Sequence, residues 1–318
     1  MNKNKILATI IALSACNIAN AEENLWVYTK GTDTRPQGSF EAKLSDIMRM
    51  DKASGQYVFH DIRPEVEYGI TDRLTIGGEL MIFDHNYSVD DEIGPMNETQ
   101  VADGRDGKFK KTQLAGYEVA LKYNILSPYK DALGLSVGLA YERRTKYRLD
   151  GSDINQNSYV GTIFLQKNWL DDTLTLAGNF KTELERRKAG GYGERVLEEE
   201  FAIDFSAGIS YRFKPKHFAG LELRHQADFL SPTTNGDRND ADFKESNWDL
   251  SDMQIGKNHQ YGMYFGPTYH YAEKNWWMTV GALFQVAGEG SRNAYVDNAK
   301  NYDEHERIHL GFSYGYEF

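Results

Sequence analysis

Cysteine occurs once in 318 residues, at position 16, and proline only seven times. One cysteine excludes an internal disulfide framework and any cysteine-based zinc site. Scarce proline leaves long stretches free to donate every ladder hydrogen bond of a sheet. Long apolar runs are also missing: beyond the N-terminus, nothing approaches the roughly 18 consecutive apolar residues of a membrane helix. A helical membrane protein is therefore excluded, whereas strands that cross a membrane are not. Positive charge is in deficit, with 36 Lys and Arg against 47 Asp and Glu and a net charge of -11. That balance argues against a nucleic-acid partner, which favours a basic face.

What the chain has instead is aromatic and small residues: 20 Tyr, 16 Phe and 29 Gly. Tyr and Phe suit strands, and the composition is unlike that of a disordered chain. The first residues, MNKNKILATIIALSACNIANA, read as an export signal, residues 1–21. Lys3 and Lys5 form the positive region, Ile6 to Ala15 the apolar core, and Ala19-Asn20-Ala21 the small-residue cleavage site. Leu13-Ser14-Ala15-Cys16 supports a rival reading, a lipobox whose Cys16 becomes a lipidated N-terminus.

From Phe40 onward, apolar and polar residues alternate with a period of two, the pattern of a strand with two different faces. Such runs lie at Phe40–Met50, Val58–Ile70, Leu74–Ile82, Ala115–Ile125, Leu133–Tyr141, Tyr159–Trp169, Leu174–Phe180, Phe201–Phe213, Ala219–Leu223, Tyr261–Tyr271, Trp276–Val286 and Ile308–Phe318. Val160 and Phe164 break the alternation of the sixth run. About twelve runs, most near the ~9 to 11 residues of a tilted spanning strand, predict an all-β fold: a transmembrane antiparallel β-barrel over residues 39–318.

The connections alternate in length. Short turns are expected at 71–73, 127–132, 170–172, 214–217 and 272–275, and long polar loops at 84–111, 144–157, 182–196, 225–258 and 287–304. Short periplasmic turns and long extracellular loops are the habit of outer-membrane barrels. Tyr68, Tyr123, Trp169, Tyr211, Phe213, Tyr269, Tyr271, Trp276, Tyr316 and Phe318 gather beside the short turns, as a girdle at one membrane interface would. Tyr141, Tyr159 and Tyr261 mark the other interface. The last strand, with Phe312, Tyr314, Tyr316 and the terminal Phe318, is similar to the C-terminal signal read by the barrel-assembly machinery. Residues 22–38 do not alternate; a periplasmic lead, a plug inside the lumen and an extra strand all fit, with Trp26 and Tyr28 in the girdle or the lumen.

ENLWVYTKGTDTRPQGSFEA followed by PEVEYGITDRLTIGGEL resembles the N-terminal half of an uncharacterised family of exported barrels of Gram-negative bacteria, a domain of unknown function. It is similar, more loosely, to barrels of phenol-degradation pathways. The resemblance implies a cell outer membrane location, among outer-membrane lipids and lipopolysaccharide, and no defined activity.

Parity assigns the lumen its side chains. The inward set holds Glu41, Asp61, Glu65, Glu67, Glu79, Glu118, Glu142, Glu183, Glu200, Asp204 and Glu222, against Lys43, Arg49, Arg63, Lys122, Lys181, Arg212, Arg224 and Arg307. About twelve strands enclose a narrow lumen, in which such charges pair either into a closed interior or around a thin polar pore. Inward Gly77, Gly116, Ala120, Gly134, Ser136, Gly138, Ser206, Gly208, Gly262 and Gly266 leave room for a pore, or relieve crowding at bends. The expectation is a narrow channel or transporter for small polar or ionic solutes with a weak cation preference.

A closed barrel with an envelope-binding role is the first alternative and an outer-membrane lipid hydrolase the second. The hydrolase would need a nucleophile and base near the membrane face; His60 and His225 fall on the outward parity near the extracellular rim, with Ser231 six residues beyond His225, but no recognisable motif surrounds them. His270 and His309 are expected to point inward near the periplasmic end. The acidic loop with Asp237, Asp240, Asp242, Glu245, Asp249 and Asp252 departs from an EF-hand, and the charged stretch around Gly190-Gly191 reads as a hairpin. Catalytic groups, cofactors and metals are not expected, and no oligomeric state follows from the sequence.

Overall fold

The computed structural model describes residues 24–52, 55–89, 107–189, 196–230, 258–290, 299–302 and 304–318. Twelve strands follow in chain order: β1 (Phe40–Met50), β2 (Gln56–Thr71), β3 (Leu74–Ser88), β4 (Lys108–Leu126), β5 (Gly134–Lys146), β6 (Asp153–Trp169), β7 (Leu174–Ala189), β8 (Val196–Lys214), β9 (His217–Leu230), β10 (Asn258–Ala272), β11 (Trp276–Gly290) and β12 (Ile308–Glu317). Each pairs antiparallel with its chain neighbours, and β1 pairs with β12 from Glu41↔Glu317 to Met50↔Ile308. The protein is an all-β, closed twelve-strand barrel, as its alternation predicts. Closure leaves no sheet edge unpaired, and the backbone N–H of Phe318 reaches the carbonyl of Phe40 at 3.0 Å to complete the seam.

Burial is inverted relative to a water-soluble protein. Leu139 is 69% exposed on the outside, while Glu222 is 0% exposed on the inside. An apolar exterior of this kind is favourable only against lipid. Rings line the short-turn end: Phe40 lies 4.6 Å from Tyr68, Tyr271 5.3 Å from Trp276, and Tyr316 4.9 Å from Phe318. Tyr141 contacts both Tyr117 and Tyr159 nearer the other end, at 6.4 and 5.7 Å.

Strands run further into the long loops than the alternation suggested. The expected loop 144–157 narrows to residues 147–152, 182–196 to 190–195, and the start of 225–258 is strand as far as Leu230. Beyond the apolar band both faces are polar, so hydropathy cannot signal the strand there. Cross-strand pairs hold the ladder instead, such as Tyr141 donating to Asn157 at 2.7 Å and Arg187 meeting Glu200 at 3.5 Å. One bulge also shifts parity: at Gly116 (φ 157°) the β3–β4 register slips, and a Cβ there would strike the Arg143 carbonyl. Below the bulge Glu118 and Lys122 face inward; above it Ala115 and Gln113 do.

Candidate functional site

Residues 24–39 form neither a lead nor a strand. They run through the lumen as an irregular strap that enters β1 at Phe40. An irregular segment must find partners for its backbone amides one by one. Here the strand walls supply them. The Glu222 carboxylate accepts from three consecutive amides, Val27, Tyr28 and Thr29, at 2.9, 2.9 and 2.6 Å. Asn179 accepts from Lys30 N–H at 2.6 Å, Gln166 from Thr32 N–H at 2.8 Å, and Thr75 from Arg35 N–H at 2.8 Å. Lys122 and Asn124 return the favour by donating to the carbonyls of Gly31 and Thr32, each at 2.9 Å. Arg35, itself buried, pairs with Glu41 at 2.5 Å.

The walls beneath the strap are cut away to receive it. A Cβ at Gly208 would run into the Trp26 ring, one at Gly281 or Gly311 into Val27, and one at Gly134 into Thr32. Trp26 fills the recess at 2% exposure and donates from Nε1 to the Ile209 carbonyl at 3.3 Å. These glycines therefore neither leave a void nor merely relieve a bend; their missing side-chain volume is occupied by the strap.

Above the strap lies a cavity of about 310 Å³ whose wall carries charge of both signs. Its acids are Asp61, Glu65, Glu67, Glu79, Glu118, Glu183, Glu185 and Asp204; its bases are Lys30, Lys43, Arg49, Arg63, Lys122, Arg148, Lys181 and Arg224. The numbers are equal. The expected excess of acid is absent from this wall because Lys30 of the strap and Arg148 of the 147–152 loop join it, whereas Glu41, Glu142, Glu200 and Glu222 do not line it. Most charges are paired: Lys43 with Glu65 at 2.5 Å and Glu67 at 3.5 Å, Arg63 with Asp61 at 2.8 Å and with Glu79, Lys181 with Glu183 at 2.8 Å, Arg224 with Asp204 at 2.5 Å.

Of the residues assigned to the lumen by parity, Arg63, Glu65, Glu67, Glu79, Glu118, Lys122, Asp204 and Arg224 meet at this cavity, and Glu222 sits under the strap. Two do not. Arg212 donates to the Asp171 carbonyl at 3.1 Å beside a short turn. Arg307 precedes β12, is exposed, and lies 3.9 Å over the Tyr302 ring, because the alternation it was read from begins only at Ile308.

Toward the long-loop end, the side of the lumen formed by β2, β3 and the start of β4 carries an apolar cluster. Tyr57, Phe59, Met81, Phe83, Tyr87, Val89, Ala115 and Leu149 pack together there, with Phe59 edge-on to Phe83 at 5.1 Å. Tyr57 and Tyr87 tie the 147–152 loop down by donating to the carbonyls of Leu149 and Asp150 at 2.9 and 3.1 Å. Parity placed polar residues inside and did not anticipate this cluster; the available signals were on β2, where Tyr57 and Phe59 occupy the same parity as Asp61, and on β3, where Met81, Phe83 and Tyr87 occupy the same parity as Glu79. Val160 and Phe164, the two residues off parity in β6, also face the lumen, and Lys122 Nζ lies 4.8 Å over the Phe164 ring.

The rival site does not assemble among the described residues. His60 Nδ1 is 2.9 Å from Asp46 on the outer face, and His225 stacks on Tyr261 at 5.3 Å. His270 is buried and bonded to Thr279 at 2.8 Å. His309 is not near the short turns: it is the second residue of β12, at the far end of that strand, 2.7 Å from Tyr28 Oη of the strap. Among the described residues, no group of three or more His, Cys, Asp or Glu is placed to hold a metal ion. Cys16, Ala19 and Ala21, Gly190-Gly191, Ser231 and the acidic loop from Asp237 to Asp252 lie outside the described residues.

A closed antiparallel barrel, apolar outside and charged within, defines the class of outer-membrane β-barrel proteins. Within it, the chain belongs to a family of unknown function (DUF6662), whose sequence pattern matches residues 18–318. No curated protein matches. Among solved structures, the COG4313 outer membrane channel from Pseudomonas putida F1 is similar at a TM-score of 0.57 and 12% identity, over 90% of this chain and 98% of that one. The beta domain of the Bordetella autotransporter BrkA gives 0.49 and 13% over 89% and 100%, and the KdgM porin 0.44 and 13% over 88% and 99%. At these identities the likeness is one of fold.

Proposed function

We propose that the protein is a narrow outer-membrane channel for small polar solutes, with its short turns in the periplasm and its long loops outside, embedded among outer-membrane lipid and lipopolysaccharide. The observation that carries this reading is the cavity of about 310 Å³ held open between sixteen charged side chains. An interior meant only to be solid would fill such a space with apolar side chains, since buried ion pairs contribute little net stability. A wall of fixed charges instead replaces the hydration shell of a polar solute in transit. The similar protein from Pseudomonas putida is an outer membrane channel by its own description, which is consistent with the proposal.

Equal numbers of acids and bases leave little selectivity by sign, so size is the main filter. The strap sets that size from the periplasmic side. Liposome swelling with the purified, refolded full chain is the test: uptake of small neutral and zwitterionic solutes with a steep cut-off against disaccharides is expected. Folded protein that gives no swelling with any solute would overturn the channel.

A further inference from the structure

Of the charges around the cavity, Arg49 and Glu118 form neither a hydrogen bond nor an ion pair among the described residues. Arg49, on β1, is only 6% exposed and has a buried Nε with no acceptor; its guanidinium carbon lies 5.8 Å from the Phe59 ring, and the anionic groups that act on it, Glu306 and Asp61, are themselves paired with Lys52 and Arg63. Glu118, on β4, is partly buried. Its surroundings make this worse. In the β-ladder it stands directly between Glu79 and Glu142, and Glu79 in turn stands opposite Glu65. Like charges directly opposite one another are destabilising, and a buried charge without a partner costs more than a broken surface pair.

Glu65, Glu79 and Glu142 are relieved by Lys43, Arg63 and Arg144. Glu118 is not. A protein keeps such local conflicts where something else supplies the missing partner. What the wall does not supply is a direct anionic partner for Arg49 and a direct cationic partner for Glu118.

We propose that the cavity is a binding site for a small zwitterion, a solute that carries a carboxylate and an ammonium group separated by a spacer. The carboxylate meets Arg49 and the ammonium meets Glu118. β2 and β3 separate the two walls, and neighbouring strands lie about 4.8 Å apart, so the wall-to-wall distance exceeds the reach of the two side chains alone. A linear ω-amino acid fits this better than an α-amino acid. The inference rests on the channel reading and specifies its solute.

The test uses 6-aminohexanoate as probe, with hexanoate, hexylammonium and glycine as controls, in equilibrium dialysis against the folded full chain. Saturable binding of 6-aminohexanoate at least tenfold tighter than any control is expected. Arg49→Gln and Glu118→Gln should each reduce it tenfold or more. Glu118→Gln has a second readout: it removes a like-charge conflict, so the free protein should melt at the same or a higher temperature while losing the shift that 6-aminohexanoate gives the parent. A merely structural Glu118 would lower the melting temperature on substitution. Binding no tighter than hexanoate or hexylammonium, or unchanged in both variants, overturns the proposal. Single-channel recordings on the same preparations separate the two readings: conductance steps without zwitterion binding sink the site and leave the channel, while binding without steps sinks the channel and leaves the site.

Discussion

The lumen is narrowed toward its two ends by different means. At the short-turn end the obstacle is backbone: a strap seated on glycines and held by side-chain acceptors such as Glu222, Asn179 and Gln166. At the long-loop end it is side chain: Tyr57, Phe59, Phe83 and Tyr87, which grow from the strands themselves and pack under the 147–152 loop. The strap joins the wall covalently at β1 and contributes no strand to the ladder. These four aromatics are instead wall residues whose backbones belong to the ladder. The difference teaches that one end is a fitting and the other is part of the frame.

Removing the fitting should have the largest effect. Deletion of residues 24–37 should raise single-channel conductance several-fold while gel mobility still shifts on boiling, the mark of a folded barrel. Glu222→Gln comes next. Hydrogen bonds to a charged group are worth about 1.5–3 kcal/mol each, and three amides lose that charge together, so the strap should leave its seat part of the time and the current should flicker between two levels. Gly208→Leu, which places a side chain where the Trp26 ring lies, should give a smaller, steady rise in conductance.

Breaking the frame should look different. Phe83→Ala should lower stability by about 3–5 kcal/mol, read as an earlier loss of the heat-modifiable gel form, with little change in conductance at room temperature. If Phe83→Ala opened the pore as widely as the strap deletion, the distinction between the two ends would fail.

The smallest effect concerns acid. His305, in the segment before β12, is buried against Tyr264, and that burial pushes its imidazole down to about 3. Its neighbour Glu306 is buried too, and Lys52 at 3.0 Å, with help from His309, holds its carboxyl well below the usual range. Both folded values lie below the unfolded ones, so both contributions are complete above about pH 6.5 and fade as pH falls. Lowering the pH from 7 to 5 should therefore cost about 2 kcal/mol through His305, at 1.36 kcal/mol per unit, and lower the melting temperature.

Much of the barrel was legible because lipid enforces a strict period of two: Leu44, Val66, Leu139 and Phe180 announce their strands. The strand ends were not, since beyond the bilayer neither face needs to be apolar. The parity shift at Gly116 was hidden for another reason, as one extra residue in a ladder leaves no compositional trace. Inside, Glu65, Glu79, Glu118 and Asp204 were placed by parity alone. The aromatic cluster escaped because inward Phe59 and Phe83 neighbour outward apolar residues and blur the alternation. The strap escaped because its amides are paired by scattered side chains rather than by a ladder, and with it went Lys30, which together with Arg148 levels the charge of the cavity.

Single-channel recording of the intact, folded full chain in a planar bilayer is the most direct test of a narrow, charge-balanced channel. The account predicts small, resolved steps whose reversal potential in a KCl gradient stays close to zero. Folded protein that gives no steps, or steps with strong selectivity for one ion, would contradict it.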